Sequence, residues 1–88
     1  MPYPAKRFVY IIRSENHPQR RYTGVTANVS TRLSAHNAGQ NQSTAPWTPW
    51  AVDVVIEFRS ERIALRFEKY LKSGAGFAFA SRHFVEDE

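Results

Sequence analysis

The chain has no cysteine among its 88 residues. Disulfides and thiolate metal sites are thereby excluded, and any bound metal must take oxygen or nitrogen ligands. Acids are scarce too. Of the eight Asp and Glu residues, three (Glu86, Asp87 and Glu88) end the chain, which leaves Glu15, Asp53, Glu57, Glu61 and Glu68 for the body. That supply does not build a dedicated two-metal carboxylate cluster. A single Mg²⁺ or Mn²⁺ needs only one or two carboxylates, because water and phosphate complete its octahedron. No apolar run approaches the ~20 residues of a membrane span, and residues 1–7 lack the apolar core of a signal peptide. The expectation is therefore a soluble cytoplasmic protein with no membrane partner. A glycine-rich phosphate loop, an HExxH helix and a GxSxG elbow are all missing.

What is present is basic charge. Twelve Lys and Arg stand against eight acids, for a net +4, and the five acids of the body leave it more basic still. Such a balance favours polyanion partners through counterion release; the alternative reading is plain solubility. With 42% hydrophobic residues the chain suits one small domain, its core spanning about residues 6–84 with an acidic tail at 85–88. A chain of this length buries roughly 60–68% of its unfolded surface, enough to fold alone with little margin.

Residues 7–14 are β-branched and aromatic with polar ends, and read as a largely buried strand. Asn16 and Pro18 mark a turn, and residues 20–26 read as the returning strand of a hairpin. A hairpin centred near Asn16 sets Tyr10 opposite Tyr22, with both phenols on one face; a slip of one residue separates them. Asn28 suits an N-cap for a helix over 29–37, stopped by Gly39. On that helix Arg32 and His36 are four apart, hence neighbours. Gly24 predicts a tight backbone passage before the helix. Residues 40–50, polar with prolines at 46 and 49, predict an ordered loop. Its tryptophans, Trp47 and Trp50, either stack on bases or, more often in such loops, cover a core edge. Residues 51–59 alternate: Val52, Val54, Ile56 and Phe58 face one way, Asp53 and Glu57 the other. Ser60 caps a helix from 61 to about 73 whose core stripe is Ile63, Ala64, Phe67 and Leu71, with Glu68 at its margin. Gly74 and Gly76 end it, and residues 77–84 form a last short helix that packs its phenylalanines on the body. The order β-β-α-β-α-α predicts an α+β domain with a three-stranded sheet flanked by helices.

Hydrolysis of a phosphodiester needs a water, an acceptor for its proton, and cations around the developing charge. Tyr10 and Tyr22 offer phenols, whose ordinary pKa near 10 is too high for a neutral-pH base unless Arg32 and a metal lower it. Arg32 offers a planar fork for two phosphate oxygens. Glu68 is the acid best placed for a metal. The bland readings are sheet packing for the tyrosines, a polar helix residue for His36, and a helix-surface partner of Arg66, Lys69 or Lys72 for Glu68.

Taken together, the order and spacing resemble the GIY-YIG nuclease superfamily. Phe8-Val9-Tyr10 is similar to the first triplet and Tyr22-Thr23-Gly24 to the second; Arg32, His36 and Glu68 match the helix arginine, the histidine found in many members, and the metal-binding glutamate. The resemblance spans nearly the whole chain. It is closest to the small single-domain bacterial branch related to the N-terminal nuclease domain of the excinuclease. Members there show Tyr-Ile-Gly-Val-Thr and then Arg-Leu-x-x-His-Asn; here stand Tyr22-Thr23-Gly24-Val25-Thr26 and Arg32-Leu33-Ser34-Ala35-His36-Asn37. Phe8 replaces a glycine, Val25 stands where excinuclease-type domains carry lysine, and no asparagine follows Asn41 to match a late family asparagine, although Arg82 and His83 fall in that region.

The resemblance implies a one-metal (Mg²⁺ or Mn²⁺) endonuclease acting on nucleic acid, DNA before RNA, in DNA repair or processing. By it Tyr22 is the general base or orients the water, Tyr10 assists or contacts phosphate, Arg32 stabilises charge, and Glu68 holds the metal. No separate recognition part accompanies the domain in these 88 residues, so the expectation is structure-selective or weakly selective binding through Arg13, Arg20, Arg21, Arg66, Lys69 and Lys72. A second copy or a separate targeting protein are the expected protein partners, with residues 46–50 as the surface for them or for substrate. The rival classes are a nucleic-acid-binding accessory module with little or no turnover, and a protein-interaction domain built on Trp47 and Trp50.

Overall fold

Apolar side chains follow one another without a break from Val9 to Ile12, which suits a strand covered on both faces. The computed structural model describes residues 6–86 and places that stretch, within β1 (Arg7–Ser14), at the centre of a three-stranded sheet. β2 (Arg21–Thr26) and β3 (Trp50–Phe58) pair with it, both antiparallel, in the order β2-β1-β3. Val9, Tyr10, Ile11 and Ile12 are all buried. Each aliphatic side chain so buried contributes about 1.5–3 kcal/mol. Helices α1 (Val29–Asn37), α2 (Glu61–Leu71) and α3 (Gly74–His83) complete the expected α+β order, with a 3₁₀ turn at Ala45–Trp47. Among the described residues no helix is long and apolar enough to cross a membrane. Of the expected acidic tail, Asp87 and Glu88 lie outside the described residues.

Alternation along β1 divides the core. On one face Val9 and Ile11 meet Ala64 and Leu71 of α2, with Phe67, Phe79 and Phe84 around them. On the other, Tyr10 and Ile12 meet Trp50, with Tyr22, Leu33 and Trp47 against them.

The hairpin register differs from expectation. Tyr10 pairs with Gly24, and Tyr22 pairs with Ile12. A six-residue connection, 15–20, shifts the pairing by two residues rather than one. Because side chains repeat every two residues, both phenols still share a face. Gly24 therefore lies inside β2 and not in a turn; its role is set out below.

β3 also departs from simple alternation. Ile11 pairs with Val54 but Ile12 with Val52, so Asp53 bulges out of the ladder. The bulge moves Val52 off the face of Val54 and Phe58, leaving it exposed, and turns Asp53 toward Arg13 and Arg21.

In α2 the buried stripe is Ala64, Phe67 and Leu71 without Ile63, which is 44% exposed, about one-quarter turn from Ala64. The helix stops at Leu71, capped by Lys72. Gly76 does not end it: Ser73 caps α3, accepting from the Gly76 N–H, and Gly76 sits inside the first turn of α3. Of the late phenylalanines Phe79 and Phe84 pack, whereas Phe77 is 70% exposed.

The two glycines of α3 make a controlled pair. A Cβ at Gly74 meets nothing within 4 Å, whereas one at Gly76 falls on the Tyr70 carbonyl of α2. Gly74→Ala is expected to be neutral or stabilising by up to about 1 kcal/mol, and Gly76→Ala to cost about 3 kcal/mol or more, because backbone must move. Urea unfolding of the two variants checks this; equal midpoints would show that the helices do not meet at Gly76.

Candidate active site

The site is built on Tyr10. Its side chain points from the central strand over the backbone of Gly24 on β2, where a Cβ would lie 2.6 Å from the Tyr10 hydroxyl oxygen. Gly24 is needed for this close approach and not for its dihedral angles, since Gly39 has the one positive φ among the described residues. Tyr10 is 2% exposed, and its hydroxyl must find a partner inside the protein. The partner is His36 Nε2, at 2.8 Å.

α1 delivers that histidine. The Asn28 side chain accepts from the Thr31 N–H and starts the helix, and Gly39, at φ +79°, ends it. His36, one turn after Arg32, faces inward and is buried. Its other nitrogen, Nδ1, lies 2.8 Å from the buried Thr44 hydroxyl, which itself donates to the Asn41 carbonyl at 3.3 Å. With the threonine hydrogen committed there, Nδ1–H donates to Thr44, which leaves Nε2 to accept from Tyr10. Burial first, and the Arg32 charge second, push His36 below its ordinary pKa of 6.5, consistent with a neutral ring. The polar loop thus belongs to the site. The Thr44 carbonyl also accepts from Trp50 Nε1 at 2.9 Å, and the Asn37 side chain bonds both the N–H and the carbonyl of Trp50 at 2.6 and 3.1 Å. Trp50 is a core residue and offers no ring to a base or a partner.

Tyr22 completes the aromatic group, its ring centroid 6.3 Å from Tyr10 and 5.0 Å from His36. It is half-buried, and so is the phenol of the pair that a substrate can reach. Tyr10 is pushed up to about 12, chiefly by burial, then by Tyr22; Arg32 opposes and Glu68 adds to the shift. The expected lowering by Arg32 is present but outweighed at Tyr10. Arg32 itself is exposed, with no ion pair among the described residues, on the rim of an open recess shared with His36, Asn41 and Gln42.

Glu68 comes from the other face. α2 packs against Val9 and Ile11, so its acid meets the phenols only past β2, the edge strand. Its side chain is 20% exposed and pairs with Lys72 Nζ at 2.6 Å; that ammonium lies 5.9 Å from the Tyr22 ring centroid. The lysine partner named as the bland reading is thus real, and it also ties Glu68 to Tyr22. Among the described residues no group of three or more His, Cys, Asp or Glu could hold a metal. Glu68 is the carboxylate beside Tyr22 among the described residues, and a lone carboxylate would suit only an ion that keeps most of its water.

The expected nucleic-acid contacts are scattered. Arg66 and Lys69 are exposed on α2, and Lys72 is beside Tyr22. Arg20 lies over Trp47. Arg13 and Arg21 pair with Asp53 on the face opposite the phenols. A hollow of about 220 Å³ is on that opposite face between Arg21, Asp53, Leu71, Phe77 and Phe84. Its one carboxylate, Asp53, is engaged by Arg13 and Arg21, and the hollow is separated by the sheet from the phenols. Val25 packs with Val9 under α2, and His83 stacks on Phe79 with centroids 4.6 Å apart, so neither joins the phenols. Sequence reasoning missed Thr44 and Asn37. The Arg32–Asn37 run did contain Asn37, and its partner could be sought in the next strand; nothing in the run 40–44 singled out Thr44.

Against known proteins, the pattern of the GIY-YIG catalytic domain matches residues 6–77, a span that holds Tyr10, Tyr22, Arg32, His36 and Glu68. The UPF0213 protein SH2523 of Staphylococcus haemolyticus (strain JCSC1435) is 36% identical over 73 residues, covering 78% of this chain and 83% of that protein.

Two outcomes are expected. Gly24→Ala forces Tyr10 off His36 and costs about 1–3 kcal/mol; an unchanged urea midpoint would place the phenol elsewhere. Below pH 6.5 the unfolded chain takes up a proton that folded His36 refuses, so stability falls as pH drops toward the depressed folded value. The Tm should therefore fall between about pH 7 and pH 5, and less steeply in His36→Gln. An equal slope in that variant would remove His36 as the cause.

Proposed function

The chain belongs to the GIY-YIG family, and on that footing we propose that it is a divalent-metal-dependent endonuclease that hydrolyses nucleic-acid phosphodiester bonds. The observation that carries the reading is Tyr22 set against the rings of both Tyr10 and His36, with Lys72 tying Glu68 to the same phenol.

Two neighbouring phenols in unlike environments divide the work. Tyr10 stays protonated, because burial pushes it up to about 12 and its hydroxyl is spent on His36. A buried, protonated phenol neither takes a proton from water nor touches phosphate. The base is then Tyr22, which orients the attacking water and, as phenolate, accepts its proton while the new P–O bond forms and the bond to the leaving oxygen breaks. General-base help of this kind is worth roughly 10²–10⁴-fold. Tyr10 and His36 hold Tyr22 in place and keep water from beneath it. Arg32, exposed and unpaired among the described residues, offers two parallel N–H bonds to the phosphate as charge develops.

A single Mg²⁺ or Mn²⁺ would be held by the Glu68 carboxylate, whose Oε2 lies on Lys72 Nζ. When bound, such an ion polarises the phosphate and stabilises the leaving oxygen, worth several kcal/mol. Everything else it needs comes from water and substrate.

The test uses purified protein, labelled single-stranded, duplex, flapped and branched DNA, and RNA, with Mg²⁺ or Mn²⁺. Cleavage is expected, abolished by EDTA and reduced about a hundredfold or more in Glu68→Gln. A Glu68→Gln protein that cuts as fast as the parent ends the assignment of this site. Binding without cleavage of any substrate ends the enzyme reading in favour of an accessory binding module.

A further inference from the structure

Arg20 has a different environment from the arginines around it. Arg13 and Arg21 each pair with a carboxylate, whereas Arg20 has no ion pair among the described residues. Its guanidinium carbon instead lies 3.8 Å from the centroid of the Trp47 ring, and the His17 ring meets Trp47 edge-on at 5.0 Å between centroids. A guanidinium laid flat on an indole keeps its charge, its outer face and its in-plane N–H donors.

The surrounding backbone holds this stack in place. The Arg20 N–H donates to the His17 carbonyl at 2.8 Å, and the Arg20 carbonyl accepts from Ser14 of β1 at 3.0 Å. The Glu15 N–H reaches the Pro49 carbonyl at 2.9 Å, which ties the hairpin tip to the loop carrying Trp47. Trp47 itself packs on the core group of Tyr10, Ile12 and Trp50, so the stack is on the phenol side of the sheet. Arg20 stands two residues before Tyr22, just ahead of the edge strand, about 7 Å of extended chain. That is about the reach of one nucleotide.

We propose that Arg20 on Trp47, with His17 at the ring edge, is a single-strand subsite beside the candidate active site. The outer face of the guanidinium takes an unpaired base and its edge donors take the adjoining phosphate. A base inside a duplex has both faces stacked already and cannot enter, so the subsite selects substrates that are single-stranded beside the cut. This rests on the nuclease reading for its purpose and on the Arg20 geometry for its binding.

The chain has two tryptophans and Trp50 is buried away from any ligand, so a change in emission on binding reports on Trp47 and its stack. Glu68→Gln protein is titrated with a single-stranded oligonucleotide, with the same sequence as duplex, and with inorganic tripolyphosphate, following emission and anisotropy. Single strand is expected to change Trp47 emission and duplex to leave it unchanged. Arg20→Ala should weaken single-strand binding about tenfold, and Arg20→Lys, which keeps charge but not the flat stack, should recover little of the loss. Equal affinity in Arg20→Ala overturns the subsite, as does full recovery in Arg20→Lys or the same emission change with tripolyphosphate, each of which reduces it to a point charge. No Glu68-dependent cleavage with the single-strand effect intact removes the nuclease reading and leaves the subsite; cleavage with Arg20→Ala affinity unchanged does the reverse.

Discussion

A phenol buried at the centre of a sheet has to spend its hydroxyl somewhere, and the arrangement around Tyr10 follows from that constraint. An unpaired buried hydroxyl costs about 1–3 kcal/mol, a large part of what a domain of this size has in reserve. His36 meets the need, which fixes the inward face of α1. The imidazole then has a second nitrogen to satisfy, and Thr44 meets that one, which fixes an otherwise irregular loop. Thr44 in turn anchors the indole of Trp50, where β3 begins. One hydroxyl thus ties together the central strand, the first helix, the loop and the third strand, and the ring that carries it requires a glycine on β2.

The same constraint separates the roles of the two tyrosines. Burial that stabilises Tyr10 as a hydrogen-bond donor also disqualifies it as a base, since its pKa is pushed up to about 12. Tyr22 sits on an edge strand and remains within reach of solvent and Lys72. A central strand supplies the anchor and an edge strand the phenol proposed as the base, and the two-residue register shift keeps both rings on one face.

Much of this is legible in the residues. The apolar run of β1 marks its observed ends, and α1 between Asn28 and Gly39 follows from cap chemistry that acts within a few residues. The order of elements follows from patterning, and the family from the resemblance carried by the runs Tyr22–Thr26 and Arg32–Asn37. What escapes is set by contacts distant in sequence. The hairpin register depends on how a six-residue connection closes, and composition does not determine that. The Asp53 bulge serves Arg13 and Arg21, which lie more than thirty residues away. Gly76 looks like a helix stop because a glycine needed for close approach and one needed for its dihedral freedom are the same letter. Phe77 is expected to pack because it is apolar, yet its neighbours in α3 take the inward positions.

Electrostatics gives the last connection between scaffold and site. The body has few acids, and in the structure most of those acids are taken: Glu57 by Lys6, Glu61 by Arg7, Asp53 by Arg13 and Arg21, Glu68 by Lys72. The exposed pairs of Glu57 and Glu61 contribute little stability, commonly below about 1 kcal/mol. The consequence of all these pairs lies in which cations they leave over. Arg32 above His36 and Arg20 on Trp47 remain without carboxylates among the described residues, and both are on the phenol side of the sheet. Two of the seven Lys and Arg left without a carboxylate among the described residues thus stand on the side of Tyr22, where an approaching polyanion can meet them.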